Sequence, residues 1–140
     1  MMRQDFFNLE IKTSGQKLYN FTKKTYNWIK ENNFNNGIIN LSIQHTSASL
    51  IIQENADPAV LKDIESFFNR IAPEDESLYE HNSEGPDDMP AHIRSLLTNT
   101  SLSIPIINSK LVLGTWQGIY LYEHRNHDYV RKVIVNIMGE

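Results

Sequence analysis

Phe7, Leu9 and Ile11 alternate with Asn8, Glu10 and Lys12 across residues 5–13. A period of two predicts a strand with one buried face. Ser14-Gly15 ends it. The period then changes: Leu18, Phe21, Thr25, Trp28 and Ile29 fall on one helical stripe within residues 16–33, which predicts an amphipathic helix. Asn32, Asn33, Asn35, Asn36 and Gly37 break it. Ile39, Leu41 and Ile43 alternate again, and Leu50-Ile51-Ile52 resumes after the polar stretch His45-Thr46-Ser47-Ala48-Ser49. Two strand-like runs around a polar stretch predict a hairpin or a bend, with His45 at its rim.

Asp57-Pro58 predicts a helix start. Asp57 can cap free N–H groups, and proline suits the first helical position. Val60, Leu61, Ile64, Phe67, Phe68 and Ile71 form the stripe, and Pro73 ends it. Residues 73–90 carry Glu74-Asp75-Glu76, Gly85-Pro86 and Pro90, so a long loop is expected. A short helix, Ala91 to Leu97, should follow. Leu102 to Ile107 reads as a strand whose Pro105 suggests an edge or a bulge. Asn108-Ser109-Lys110 reads as a tight turn. Leu111–Leu113, Trp116–Tyr122 and Val130–Ile137 complete the strand-like runs. About seven strands with two main helices and a short third make the expected class α+β, and 140 residues suit one domain, 1–140.

Composition removes several kinds of chemistry. There is no cysteine, which excludes disulfides, thiolate zinc, iron–sulfur clusters and cysteine nucleophiles. The net charge is −4, and the 13 basic residues are scattered, so no nucleic-acid partner is expected. No apolar run approaches the roughly 18 residues of a membrane span, and Met1 to Phe7 lack a signal-peptide core. The expectation is a soluble, cytoplasmic protein that binds no membrane.

Histidine is then the natural place to look for chemistry, since it titrates near neutral pH and ligates metals. His45 is followed by Thr46, Ser47 and Ala48, small residues that leave room for a ligand. His81 and His92 flank Glu84, Asp87 and Asp88. Three imidazoles with an open position suit zinc, and added carboxylates suit manganese or another harder ion. Glu54, just after a strand, can orient a histidine or act as a base. In Gly114-Thr115-Trp116-Gln117-Gly118 the pattern predicts a bulge with Trp116 in the core, and the Gln117 amide needs a partner if buried. Arg125 and Arg131 can clamp a phosphate or carboxylate. His124 and His127 stand outside the main group.

His45-Thr46-Ser47-Ala48, Glu54-Asn55-Ala56-Asp57-Pro58, His81, the run from Glu84 to His92, Ile104-Pro105 and Leu113 to Ile119 resemble the YjbQ family, often labelled secondary thiamine-phosphate synthase. The resemblance covers nearly the whole chain. It implies two packed, mostly antiparallel sheets and assembly as a homotrimer. It also implies a polar, metal-binding pocket, in which His45, His81 and His92 match the family's histidines and Glu54 and Asp88 its acidic positions. The run Gly85-Pro86-Asp87-Asp88-Met89-Pro90 stands where other members carry an asparagine-containing version.

The expectation is a divalent ion on His45, His81 and His92 (zinc, or else manganese or magnesium). Glu54, Asp88 and Arg125 would be catalytic, and Thr46, Ser47, Gln117 and Arg131 would bind a small anionic or phosphorylated metabolite. Thiamine-phosphate synthase activity would then be a side reaction, with metal-dependent hydrolysis as another route. The rival expectation is a non-catalytic metabolite-binding or regulatory protein using the same pocket.

Overall fold

The computed structural model describes residues 1–140. Strand β1 (Arg3–Ser14) opens the chain, followed by β2 (Lys17–Asn20), helix α1 (Thr22–Glu31), β3 (Gly37–Ile43) and β4 (Ala48–Glu54). Helix α2 (Pro58–Ile71), a single 3-10 turn at Glu76–Leu78 and helix α3 (Asp88–Leu97) come next. Strands β5 (Ser101–Ile107), β6 (Lys110–Leu111), β7 (Gln117–Glu123) and β8 (Asp128–Gly139) finish it. The strands form two antiparallel sheets, ordered β1-β8-β3-β5-β6 and β2-β7-β4. The class is α+β, as the sequence pattern indicates. No helix is long and apolar enough to cross a membrane.

Strand alternation builds the core. Leu9 and Ile11 of β1, Ile39, Leu41 and Ile43 of β3, and Val133, Val135 and Ile137 of β8 point into one apolar cluster. Ile119 and Leu121 of β7 and Leu50 of β4 meet them from the smaller sheet. The opposite parity of β7 faces the helices: Tyr122 meets Phe68 of α2 edge-on at 5.8 Å. The smaller sheet is therefore covered on both sides, and Gly118 to Glu123 are all buried.

Three local readings need correction. The helix expected over residues 16–33 starts only at Thr22, and Lys17–Asn20 forms β2 beside β7. Leu18 and Phe21 are three apart, a spacing that suits a helical stripe, but sheet pairing with β7 takes Leu18. The third helix begins at Asp88 rather than Ala91. Pro90 is tolerated there because the first-turn N–H groups have no helical acceptor. Trp116 is not in the core; it is 63% exposed, in the turn before β7.

Elsewhere the local chemistry works as expected. The Asp57 carboxylate accepts from the Ala59 N–H at 2.9 Å, and Pro58 takes the first helical position. Asn108 and Ser109 both have positive φ, 52° and 61°, the backbone of the two-residue hairpin turn that matches strand twist. Gly37 and Gly139 pair across β3 and β8. A Cβ on Gly37 would lie 2.1 Å from the Met138 carbonyl oxygen. Gly37→Ala is expected to lower the unfolding free energy by about 1–3 kcal/mol through backbone displacement. Urea denaturation checks this, and an unchanged midpoint would contradict the close approach.

Candidate metal centre on helix α3

Asp87 and Asp88 stand at the entrance to α3, and His92 follows Asp88 by one helical turn. Residues four apart share a helix face, so Asp88 Oδ2 lies 3.3 Å from His92 Nε2. The preceding loop returns His81 to the same oxygen, with its Nε2 at 2.7 Å. The ligand atoms of His81, Asp88 and His92 all lie within 4.8 Å of one another. Tetrahedral zinc with bonds of about 2.1 Å spaces its ligands at about 3.4 Å, so small side-chain adjustments suffice.

Two of the three groups, His92 and Asp88, are oriented from behind. His92 Nδ1 lies 3.0 Å from the Thr46 carbonyl oxygen. An N–H there donates to that oxygen and leaves Nε2 as the free lone pair, the arrangement that metal-binding histidines use. Asp88 Oδ1 accepts from Arg125 Nη1 at 2.7 Å, which turns Oδ2 towards the imidazoles. His81 and His92 side chains are 43% and 34% exposed, so solvent or substrate can reach the remaining coordination positions.

Arg125 braces the whole loop. Its Nε donates to Asp87 Oδ2 at 2.9 Å and its Nη2 to the Glu84 carbonyl at 3.0 Å. Asp87 Oδ2 also accepts from the Asn126 N–H at 2.9 Å. Burial pushes the Asp87 carboxyl up, but Arg125 and the Asn126 amide hold it below its ordinary value. Asp88 is likewise held down against its burial, by the His81 hydrogen bond and the Arg125 charge. The His81 imidazole is raised, chiefly by its hydrogen bond to Asp88.

The other sequence candidates lie elsewhere. His45 Nε2 accepts from the Lys132 N–H at 2.8 Å, so that lone pair is engaged, and His45 is outside the three-residue cluster. Burial and the Arg131 charge lower its pKa. Arg131 is buried and donates to Glu123 Oε1 at 2.7 Å and to Ser47 Oγ at 3.0 Å. Neither it nor Arg125 is a free anion clamp. Thr46 is exposed and contributes its carbonyl to His92.

Glu54 pairs in register with Gln117, at the opposite end of β4 from Ala48. Six strand steps separate those ends by about 20 Å, so Glu54 and Gln117 belong to another surface of the same chain. Gln117 is exposed, and its Oε1 accepts from the Gly114 N–H at 2.7 Å; no buried amide arises.

Sequence reasoning gave Asp87 and Glu84 no roles of their own. Glu84 Oε2 lies 2.9 Å from His81 Nε2. Their signal was proximity to Asp88 in the acidic loop, which is informative only once Arg125 is seen opposite. The lowered Asp87 and Asp88 pKa values carry a consequence for acid stability. Both fall below the ordinary 3.8, so their contribution is complete above about pH 4 and is lost as pH falls through the folded values. Unfolding free energy should decline from pH 4 towards pH 2 in the native protein. Arg125→Met should flatten that decline, because burial without the guanidinium favours the protonated acids. Urea titrations at stepped pH measure it; equal acid limbs in both proteins would refute the brace.

A family model described as UPF0047 protein YjbQ-like matches residues 7–140. The chain is 52% identical over 132 residues to UPF0047 protein sll1880 of Synechocystis sp., covering 94% of this chain and 90% of that one. It is 50% identical over 106 residues to UPF0047 protein YjbQ of Escherichia coli O157:H7, covering 76% of each. Among solved structures, an uncharacterized YjbQ/UPF0047 family protein of Clostridium acetobutylicum superposes with a TM-score of 0.84 at 36% identity, covering 94% of this chain and 98% of that one. A YbjQ-like protein of unknown function from Sulfolobus solfataricus shares the fold with a TM-score of 0.90 at 24% identity, over 100% of both chains. The chain belongs to the YjbQ-like UPF0047 family.

Proposed function

We propose that this chain is a metal-dependent enzyme acting on a small anionic metabolite, with the ion held by His81, Asp88 and His92. The observation that carries the reading is the convergence of those three ligand atoms within 4.8 Å, with His92 oriented by the Thr46 carbonyl. Two imidazoles and one carboxylate suit zinc, with manganese the harder alternative and magnesium the least suited. A divalent ion held there supplies Lewis-acid chemistry, polarising a substrate oxygen and acidifying water.

The remaining side chains divide the work. Arg125 fixes Asp88 and is a positioning residue. Glu84, 61% exposed and beside His81, replaces Glu54 as the carboxylate within reach of a proton on the substrate or on water. An anionic group of the substrate would meet the ion itself, since Arg125 and Arg131 are already bound to carboxylates. Thiamine-phosphate synthase activity fits only as a side reaction, because a diphosphate leaving group needs cations that these two arginines do not have free. Assembly as a homotrimer, which the family resemblance implies, is part of the proposal; exposed apolar side chains such as Phe6, Leu96 and Trp116 offer surface for it, and light scattering after size exclusion measures it.

Protein purified without an affinity tag should carry about one zinc or manganese per chain by elemental analysis. Asp88→Asn and His92→Ala should lose the metal while staying folded, and Arg125→Met should bind it about 10–100-fold more weakly. Less than about a tenth of a metal per chain, with no thermal stabilisation by added zinc or manganese, would overturn the metal reading. Incubation with phosphorylated metabolites then separates turnover from the regulatory alternative: binding without consumption would favour the latter.

A further inference from the structure

A sheet edge carries unpaired N–H and C=O groups that can accept another strand, and proteins blunt such edges with charge, proline or short length. Three of the four edges here are blunted. The outer strand β1 carries Arg3, Asp5, Glu10 and Lys12, β2 has four residues and begins with Lys17, and β6 has two residues including Lys110. The fourth edge is β4. Its stretch Leu50-Ile51-Ile52-Gln53 has neither charge nor proline.

The backbone of that stretch is open. The Leu50 N–H donates to the Asn99 carbonyl at 2.7 Å, in an antiparallel bridge on the side away from β7. Along an antiparallel strand the bonding direction alternates from residue to residue. Ile51 and Gln53 therefore bond to β7, and Ile52 turns outward as Leu50 does. Asn55 keeps the same parity, since its N–H donates to the Trp116 carbonyl at 2.9 Å, just before β7. Beyond Asn99, no segment of the chain pairs with this edge, so the Ile52 N–H and C=O have no partner.

Helix α2 stands beside the edge without closing on it. A groove of about 550 Å³ separates them, walled by Val60, Ile64 and Phe67 of α2 and by Leu97 at the end of α3. Phe67 and Leu97 are 48% and 56% exposed, so this apolar surface faces solvent. Asp63 is the one charged residue in the lining, and it forms no ion pair.

These features select one kind of occupant. An apolar small molecule would fill the groove and leave both Ile52 groups unpaired. A helix has no free backbone groups along its side to offer them. An extended peptide meets both, and its alternate side chains enter the apolar walls, as in other grooves between an edge strand and a helix. The Asp63 carboxylate, with no cation beside it, selects a basic residue and repels an acidic one. At about 3.3 Å per residue, the free edge from Ile51 to Glu54 seats about three or four residues before Asn99 occupies it.

We infer that the groove between β4 and α2 receives a short extended segment of a partner protein, apolar at alternate positions and basic near Asp63, which adds as a strand at Ile52. The site uses none of His81, Asp88 and His92 and stands or falls separately from metal binding.

The probe is the peptide acetyl-Val-Lys-Val-Lys-Val-amide, titrated into the nitrogen-15-labelled full chain. In the free protein the Ile52 amide should exchange with deuterium about tenfold faster than those of Ile51 and Gln53, and the peptide should slow it saturably. An Ile52 amide already protected in the free protein would mean that a second copy or the chain itself covers the edge, and would overturn the inference. Two further peptides carry N-methyl groups on alternate residues, one on the odd set and one on the even. One should bind about tenfold more weakly and the other nearly as well as the parent, because only one set of N–H groups faces β4. Equal binding by all three would show apolar association without strand addition and sink the proposal. Asp63→Lys, an exposed change that should leave folding intact, is expected to weaken the peptide about two- to fivefold. Unchanged affinity there, or no saturable binding to the wild-type chain, would likewise refute it.

Discussion

The buried ion pair between Glu123 and Arg131 closes the layer between the two sheets. Apolar pairs fill that layer along β1, β3, β7 and β8, and at its end Glu123 reaches across from β7 to Arg131 on β8 and Thr13 on β1. Removing one partner of such a pair costs about 3–5 kcal/mol, because the other charge is left buried. The pair also sets the register in which the next two residues leave the strand. Alternation turns His124 to the helix side, and Arg125 emerges at the edge against the loop that carries Asp87 and Asp88. Three consecutive side chains thus serve three layers: the sheet interface, the helix interface and the candidate metal centre.

That arrangement explains why the arginines do not do what their residue type suggests. Free in solution, Arg125 and Arg131 would be the obvious anion clamps. In the fold each meets a carboxylate with nearly ideal geometry, and neither has a fork left for a ligand. Arg125 acts on the site by holding Asp88 in one orientation, which places precision in a β hairpin rather than in the loop itself.

Much of the sheet architecture was legible because strand alternation is a local signal. Leu9 and Ile11, Ile39 to Ile43, and Val133 to Ile137 each declare their buried face without reference to the rest of the chain. The Asp57-Pro58 helix start and the Asn108-Ser109 turn are equally local. What failed was decided by distant partners. Lys17–Asn20 looks like helix until β7 pairs with it. Trp116 looks like core until the turn is seen to lift it outward. Among the site residues, His81, Asp88 and His92 were visible as residue types in one segment, but the sequence could not separate His45 from them or show that Glu54 lies at the far end of β4. The burial of Arg94 was likewise invisible, since an arginine in an amphipathic helix ordinarily faces solvent.

Electrostatic balance gives the candidate centre its sign. Glu84, Asp87 and Asp88 bring three carboxylates to the mouth of α3, and Arg125 is the one fixed cation that pairs with them. With both imidazoles neutral, two negative charges stay uncompensated among these four side chains. A proton on His81 offsets one of them, consistent with its raised pKa. A divalent cation offsets both and competes with that proton for the same nitrogen. Cation binding there should therefore release a proton and strengthen as pH rises through the His81 titration, the linkage expected wherever a metal displaces a hydrogen bond between a histidine and a carboxylate.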